Sequence, residues 1–267
     1  MPNVVLVTGS SSGLGRACAD LLAADPANRV YGASRSEPDA HAWTHLPLDV
    51  SRDASVADAI AAILAREGRI DAVVHCAGSC IAGAVETASV AEAQAQFDAN
   101  YFGAVRVIKA VLPGMRQRRA GRILLVGSIA GLIPLPFQAH YSASKSALDG
   151  LAGALRFELA PYGIEATAVH PGDFNTPFGL HRRKATRLDP ASPYAAAFDR
   201  AMSLYEAAEH NGGDPEAFAR RIARLLARRR LPPRALVGQP LELAGVWARA
   251  LLPPRLFEHL FRLAYGP

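Results

Sequence analysis

A short apolar run, Val4-Val5-Leu6-Val7, leads without interruption into Thr8-Gly9-Ser10-Ser11-Ser12-Gly13-Leu14-Gly15, and a helical pattern through Leu21 and Leu22 follows. This junction constrains the chain more than any other stretch. An apolar run with no polar alternation reads as a strand buried on both faces, as in a parallel sheet. Glycines allow the backbone to approach an anion closely, and a helix start offers N–H groups that lack intrahelical partners. Strand, glycine loop and helix together make a phosphate-binding arrangement. Its spacing is Gly-x-x-x-Gly-x-Gly, distinct from the Gly-x-Gly-x-x-Gly form.

The alternation continues down the chain. Residues 29–33 read as a second strand, 46–50 as a third with Asp49 at its end, and 53–66 as a helix capped by Ser51 or Asp53. Residues 72–75 read as a fourth strand followed by Cys76-Ala77-Gly78. Residues 90–112 form one long helical pattern holding Phe97, Asn100 and Gly103. A fifth strand at 122–126 runs into Gly127-Ser128, a helix covers 141–159, and a sixth strand at 164–169 ends in His170-Pro171-Gly172. Pro215 opens a further helix and 235–238 reads as a last short strand. The predicted fold is α/β, a single doubly wound, mainly parallel sheet flanked by helices. One domain spans 1–267, with 173–212 as a substrate lid of short helices and 241–267 as a helical C-terminal extension. In such sheets ligands sit beyond the carboxyl ends of the strands. The glycine loop, Asp49, Gly78, Ser128 and Pro171-Gly172 all fall there.

Composition narrows the function classes. Three cysteines, Cys18, Cys76 and Cys80, are too few and too scattered for a disulfide framework or a zinc site, and suit a reducing, cytoplasmic setting. No signal-type segment and no membrane-spanning apolar run is legible. The net charge of +5 raises nucleic acid as a partner. However, Ile222, Leu225 and Leu226 recur at helical spacing among the arginines of 220–230, which marks a solvated helix face with no aromatic platform. No metal and no nucleic acid are therefore expected.

Tyr141 and Lys145 stand four residues apart, so in a helix both side chains share one face. Free tyrosine titrates near ~10, and one positive charge at ~4 Å supplies about 4 kcal/mol at an effective dielectric of ~20. Lys145 is thereby expected to turn Tyr141 into a general acid/base usable near neutral pH. After the second strand stand Ser34 and Arg35, where a carboxylate would hold a ribose 2′-hydroxyl. An arginine fork suits a 2′-phosphate instead.

With these motifs in order, the chain resembles the short-chain dehydrogenase/reductase family from Val4 to about Gly238, most of all its hydroxysteroid and retinol dehydrogenase branch. The resemblance implies a glycine loop of Thr8, Gly9, Ser11, Ser12, Gly13, Leu14 and Gly15. It implies adenine contact at Asp49 and Val50, and further cofactor contact at Ala77, Gly78, Pro171, Gly172 and Thr176. Ser128, Tyr141 and Lys145 match the catalytic serine, tyrosine and lysine, with Asn100 anchoring a proton-relay water; Tyr141 and Lys145 also touch the cofactor. One departure is Cys76, where the family usually has asparagine. The implied activity is NADP(H)-dependent interconversion of a lipophilic alcohol and a ketone or aldehyde, by a homodimer or homotetramer. Helices around 90–112 and 141–160 would form the dimer contact, with Ala143, Ala147, Gly150, Ala152 and Gly153 allowing close approach. A non-catalytic dinucleotide-binding regulatory or scaffold protein is the alternative; it would be expected to lose Ser128, Tyr141 or Lys145, and none is lost.

The almost wholly apolar stretch 129–137, with Phe174, Phe178 and Leu180 at the base of the lid, points to a small apolar carbonyl or alcohol substrate or to plain core packing. At 253–265, Pro253-Pro254 can open a helix that puts Leu256, Phe257, Leu260, Phe261 and Ala264 on one face. Burying two leucines and two phenylalanines is worth roughly 6–10 kcal/mol. The stripe is expected to pack on protein, with peripheral membrane contact as the alternative.

Overall fold

A computed structural model describes residues 3–186, 189 and 191–265. Seven parallel strands form the central sheet: β1 (Asn3–Thr8), β2 (Asn28–Ser34), β3 (Thr44–Pro47), β4 (Ala72–His75), β6 (Gly121–Val126), β7 (Ile164–Pro171) and β9 (Arg234–Val237). Their order is β3-β2-β1-β4-β6-β7-β9, so successive strands are laid outward first on one side of β1 and then, from β4 on, on the other. The two-residue strands β5 (Ile81–Ala82) and β8 (Arg183–Lys184) pair with each other outside that sheet.

Side-chain alternation along β1 splits the core in two. Val4 and Leu6 join Ile63, Val107, Met115, Ile123 and Leu148 on the face covered by α2 (Asp53–Glu67), α4 (Gly103–Arg118) and α5 (Ala139–Leu159). Val5 and Val7 join Cys18, Leu22, Phe218, Ile222 and Leu225 on the other face, under α1 (Gly13–Ala23) and α7 (Pro215–Leu226). The arginine-rich stretch behaves as its spacing predicts: Ile222 and Leu225 are buried, while Arg220 and Arg224 face outward.

Several boundaries differ from the sequence reading. The third strand ends at Pro47; Leu48 N–H still donates to Ser34 O at 3.0 Å, and Asp49 then opens a turn closed by Arg52. The N-cap of α2 is Arg52 with no side-chain cap, because Ser51 spends its hydroxyl on Asp49. The single helix expected at 90–112 is interrupted. α3 (Val90–Phe97) and α4 are joined by a π-helical turn, Asp98–Phe102, and α4 runs on through Pro113 to Arg118. Among its described residues the lid contains a 16-residue helix, α6 (Ala195–His210), besides one short 3-10 turn at Gly179–His181; Arg187, Leu188 and Pro190 of the lid lie outside the described residues. The extension is two helices, α8 (Pro240–Leu251) and α9 (Pro254–Tyr265); residues 266–267 lie outside the described residues. The stripe on α9 is not hidden by its own subunit. Phe257 and Phe261 are half-buried, but Leu256 and Leu260 are each 46% exposed. α8 has no buried residue, so the two helices offer each other little to pack on. Ala264 lies among residues whose side chains are not described.

Candidate active site

The carboxyl ends of β1, β2, β4, β6 and β7 converge on one cleft. Gly9 has φ +69°, and a Cβ there would stand 2.7 Å from Ala77 N, so the loop after β1 touches the segment after β4 through bare backbone. Thr8 Oγ1 accepts from Ala77 N at 3.2 Å and lies 3.0 Å from His75 Nδ1. Ser12 precedes α1 in extended conformation and places no side chain on its first-turn N–H groups. Ser10 Oγ is buried without a hydrogen-bond partner among the described residues. Gly13 and Gly15 open the helix, with Gly13 beside Thr176 of the lid; Ser11 and Leu14 are half-buried along the same loop. Uncapped N–H groups at the start of α1 and a buried hydroxyl left without a partner fit a pyrophosphate.

At the end of β2, Ser34 is buried and its Oγ donates to Ser36 O at 2.8 Å. Arg35 is exposed at the same edge. Asp49 Oδ1 accepts from Ser51 N at 3.0 Å, and its bonds to Ser51 hold the carboxyl below its ordinary value; Val50 is buried against Gly103. Cys76 sits half-buried in the core with Cys18 and does not offer the amide of an asparagine. On the far side, Gly172 N donates to Val237 O at 2.8 Å, and a Cβ on Gly172 would run into the Glu242 carboxylate. Pro171, ahead of it, is buried as the last residue of β7. Glu242 Oε1 in turn accepts from Asp173 N at 2.7 Å.

Ser128, Tyr141 and Lys145 meet at the centre. Ser128 follows β6, and its Oγ accepts from Ala130 N at 3.1 Å, leaving its own hydrogen free to donate. His170 Nδ1 lies 3.0 Å from Ser128 O, and its Nε2 lies 2.9 Å from Asp149 Oδ1. Both partners accept, which favours a doubly protonated ring; burial opposes this and prevails, lowering the histidine below its ordinary value. Sequence reading missed this support, although Asp149 stands one helical turn beyond Lys145 and His170 ends a strand.

Tyr141 is 7% exposed. Burial pushes its phenol above the ordinary value, Cys80 adds to this, and a hydrogen bond with Ser128 opposes it. The lowering expected from Lys145 does not prevail. The lysine Nζ lies 5.8 Å from the tyrosine ring centre and donates to Val126 O at 2.9 Å. Burial takes the lysine itself down to about 8. Desolvation of two buried groups here outweighs their mutual charge. The phenol is consequently held protonated, the state a proton donor needs.

Asn100 supports the same centre from below. It sits in the π-helical turn, fully buried, with Oδ1 accepting from Ser79 N at 2.8 Å. Its Nδ2 donates to Ser79 O at 3.1 Å and to Ser144 Oγ at 2.9 Å. Ser144 Oγ donates to Tyr141 O at 2.7 Å. The amide bonds Ser79 and Ser144, and through Ser144 it seats the tyrosine-bearing turn, so Asn100 acts as a positioning residue for the tyrosine. Gln96, not singled out in the sequence, grips the same segment: its Oε1 accepts from Ile81 N at 2.7 Å.

A doubly wound sheet with a phosphate cradle and a buried Ser–Tyr–Lys set at its carboxyl edge defines a nicotinamide-dinucleotide-dependent oxidoreductase. The sequence profile of the short chain dehydrogenases matches residues 3–187, and the chain belongs to that family. The chain is 36% identical to a 3-ketodihydrosphingosine reductase of Bacteroides thetaiotaomicron over 99% of its own length and 98% of that protein's. It is 38% identical to human retinol dehydrogenase 8 over 66% of its length and 60% of the relative's. A solved short-chain dehydrogenase from Streptomyces avermitilis superposes with a TM-score of 0.82 at 30% identity, covering 98% of each chain. No helix among the described residues is long and apolar enough to cross a membrane.

Proposed function

We propose that this chain is an NADP(H)-dependent reductase of long-chain, lipophilic ketones, with 3-ketodihydrosphingosine as the first candidate substrate. The observation that carries this reading is the end-to-end similarity to the Bacteroides reductase, which includes the lid and the C-terminal helices. The assembled Ser128, Tyr141 and Lys145 support catalysis over a regulatory or scaffold role.

Bound NADP(H) supplies or accepts the hydride. The backbone of Gly9, Ser11, Ser12, Gly13 and Leu14 would hold its pyrophosphate, Ser34 and Arg35 the 2′-phosphate, and Asp49 and Val50 the adenine. Ala77, Gly78, Lys145, Pro171, Gly172 and Thr176 would line the nicotinamide end. The Ser128 hydroxyl, hydrogen-bonded to Tyr141 in the structure, donates to the substrate oxygen, where negative charge grows. Tyr141 gives that oxygen its proton, and the Lys145 ammonium favours the phenolate left behind. We further propose a cytoplasmic homodimer or homotetramer. Exposed Val90, Phe102 and Phe157 on α3–α5 support a contact there, together with Gly150 and Gly153, which have open space around them. Ala152 does not take part, because it is buried in its own core.

The test is NADPH consumption by the purified chain with 3-ketodihydrosphingosine, retinal and a 17-ketosteroid. The expected result is the highest kcat/KM for the sphingoid ketone. Faster reduction of retinal or the steroid would move the substrate to those classes.

A further inference from the structure

The space beside the catalytic phenol is not purely apolar. β8 pairs with β5, and Arg183 N donates to Cys80 O at 3.0 Å. Cys80 packs with Tyr141, Ala130 and the half-buried Phe178. This register sets Arg182, the residue before β8, beside the catalytic tyrosine. The Arg182 side chain is 4% exposed, and one of its nitrogens pairs with Glu209 near the end of α6. Its Nε and Nη1 are shielded from solvent and have no hydrogen-bond partner among the described residues. The Cys80 thiol lies close enough for Arg182 to draw its pKa down, but sulfur is a weak acceptor and does not satisfy a guanidinium. An unpaired, water-excluded guanidinium N–H is costly and calls for a partner.

The charge around it points the same way. Asp173, Glu209 and Glu242 crowd together near Arg182. Burial, then Glu242 and Glu209, push Asp173 up to about 7, and burial raises Glu209 as well. Three carboxylates around one guanidinium leave a local demand for a cation, while the free guanidinium N–H groups demand an acceptor. A ligand carrying both an ammonium and a hydroxyl next to its carbonyl meets both demands. A retinoid or a simple ketone meets neither.

We propose that Arg182 and Glu209, backed by Asp173, form a head-group pocket that selects long-chain ketones bearing an adjacent ammonium and hydroxyl. The hydroxyl oxygen accepts from the free Arg182 N–H groups, and the ammonium donates to the Glu209 carboxylate. These are specificity-determining contacts, made away from the carbonyl that Ser128 and Tyr141 handle. The proposal rests on the reading of the chain as a long-chain ketone reductase.

The experiment compares kcat/KM, with NADPH and the full chain, for two ketones of equal length. One is 3-ketodihydrosphingosine and the other is octadecan-3-one, which lacks the amine and hydroxyl. Wild type is expected to favour the amino ketone by roughly tenfold or more, the scale of a charged hydrogen bond. Arg182→Met and Glu209→Gln are each expected to reduce that preference by about tenfold. Arg182→Lys is expected to recover part of it. Should Arg182→Met fail to fold by thermal melt, wild type and Glu209→Gln decide through calorimetric binding of dihydrosphingosine against octadecan-3-ol. The pocket is overturned if wild type treats both ketones alike, or if both variants keep the wild-type preference; the reductase reading survives either result. If wild type reduces neither long-chain ketone yet turns over retinal or a steroid, the reductase reading fails and the pocket falls with it.

Discussion

The two sides of the cleft are built from different materials. On the glycine-loop side, the groups that face the ligand are mostly backbone. Gly9 meets Ala77 at main-chain distance, and α1 starts without a side-chain cap. On the lid side stand side chains in charged contact: Arg182, Glu209, Asp173 and Glu242. A backbone cradle recognises what every dinucleotide shares. Side-chain clusters can change one residue at a time without disturbing the sheet, which is why the proposed selection of substrate falls on that side.

Three substitutions and one truncation probe that division. The largest effect should come from the shared centre: Tyr141→Phe is expected to lower kcat by about 10²–10⁴-fold while cofactor binding, followed by fluorescence titration, persists. Turnover within a few-fold of wild type would show that the proton comes from elsewhere. On the cofactor side, Arg35→Ala should weaken NADPH by about 1–3 kcal/mol and leave NADH nearly unchanged. Equal losses for both cofactors would remove Arg35 from the 2′-phosphate.

On the lid side, Asp173→Asn should stabilise the protein in a pH-dependent way. The folded carboxyl titrates near 7, raised from 3.8 by burial and then by its neighbouring carboxylates. Its contribution is therefore fully present below about pH 4 and is lost as pH rises through 7. The substitution should do little at pH 4 and add on the order of 1 kcal/mol, ~2–4 °C in Tm, above pH 7. A gain that is equal at both pH values would disprove the charge crowding. The smallest effect is expected from truncation after Leu252. Since Leu256 and Leu260 are half exposed and Leu263 is 72% exposed, α9 should contribute no more than about 1 kcal/mol to the subunit's own stability. A fall in Tm of ten degrees would mean that the stripe is buried in an assembly.

The backbone-built side was the more legible in sequence. Apolar runs ending in glycine mark sheet, cradle and strand ends at once, because parallel pairing and anion contact both depend on local chemistry. The Tyr141–Lys145 spacing placed both residues on one helix, but not their protonation. Burial, a property of the whole fold, raises the phenol and lowers the lysine. Asp149, His170 and Arg182 escaped notice for a related reason. Each acts through a partner tens of residues away, as with His170 and Ser128, and no period in the sequence announces such a pair. The lid resisted reading because α6 carries its buried Phe198, Met202 and Tyr205 in an alanine-rich stretch with weak punctuation.

The π-turn at Asp98–Phe102 bears on how this chain can change length. Such a turn holds one residue more than an α-turn, so deleting one residue there would restore a regular helix. Each helical residue subtends about 100°, so the deletion would rotate everything before it by that angle relative to α4. Gln96 and Asn100 both grip Ser79, at 2.6 and 3.1 Å from its carbonyl, and Asn100 also reaches Ser144 under the tyrosine. The surplus residue therefore works as a phase offset between two helices. A chain one residue shorter would keep its serine, tyrosine and lysine in sequence while the amide that seats the tyrosine turned to another side.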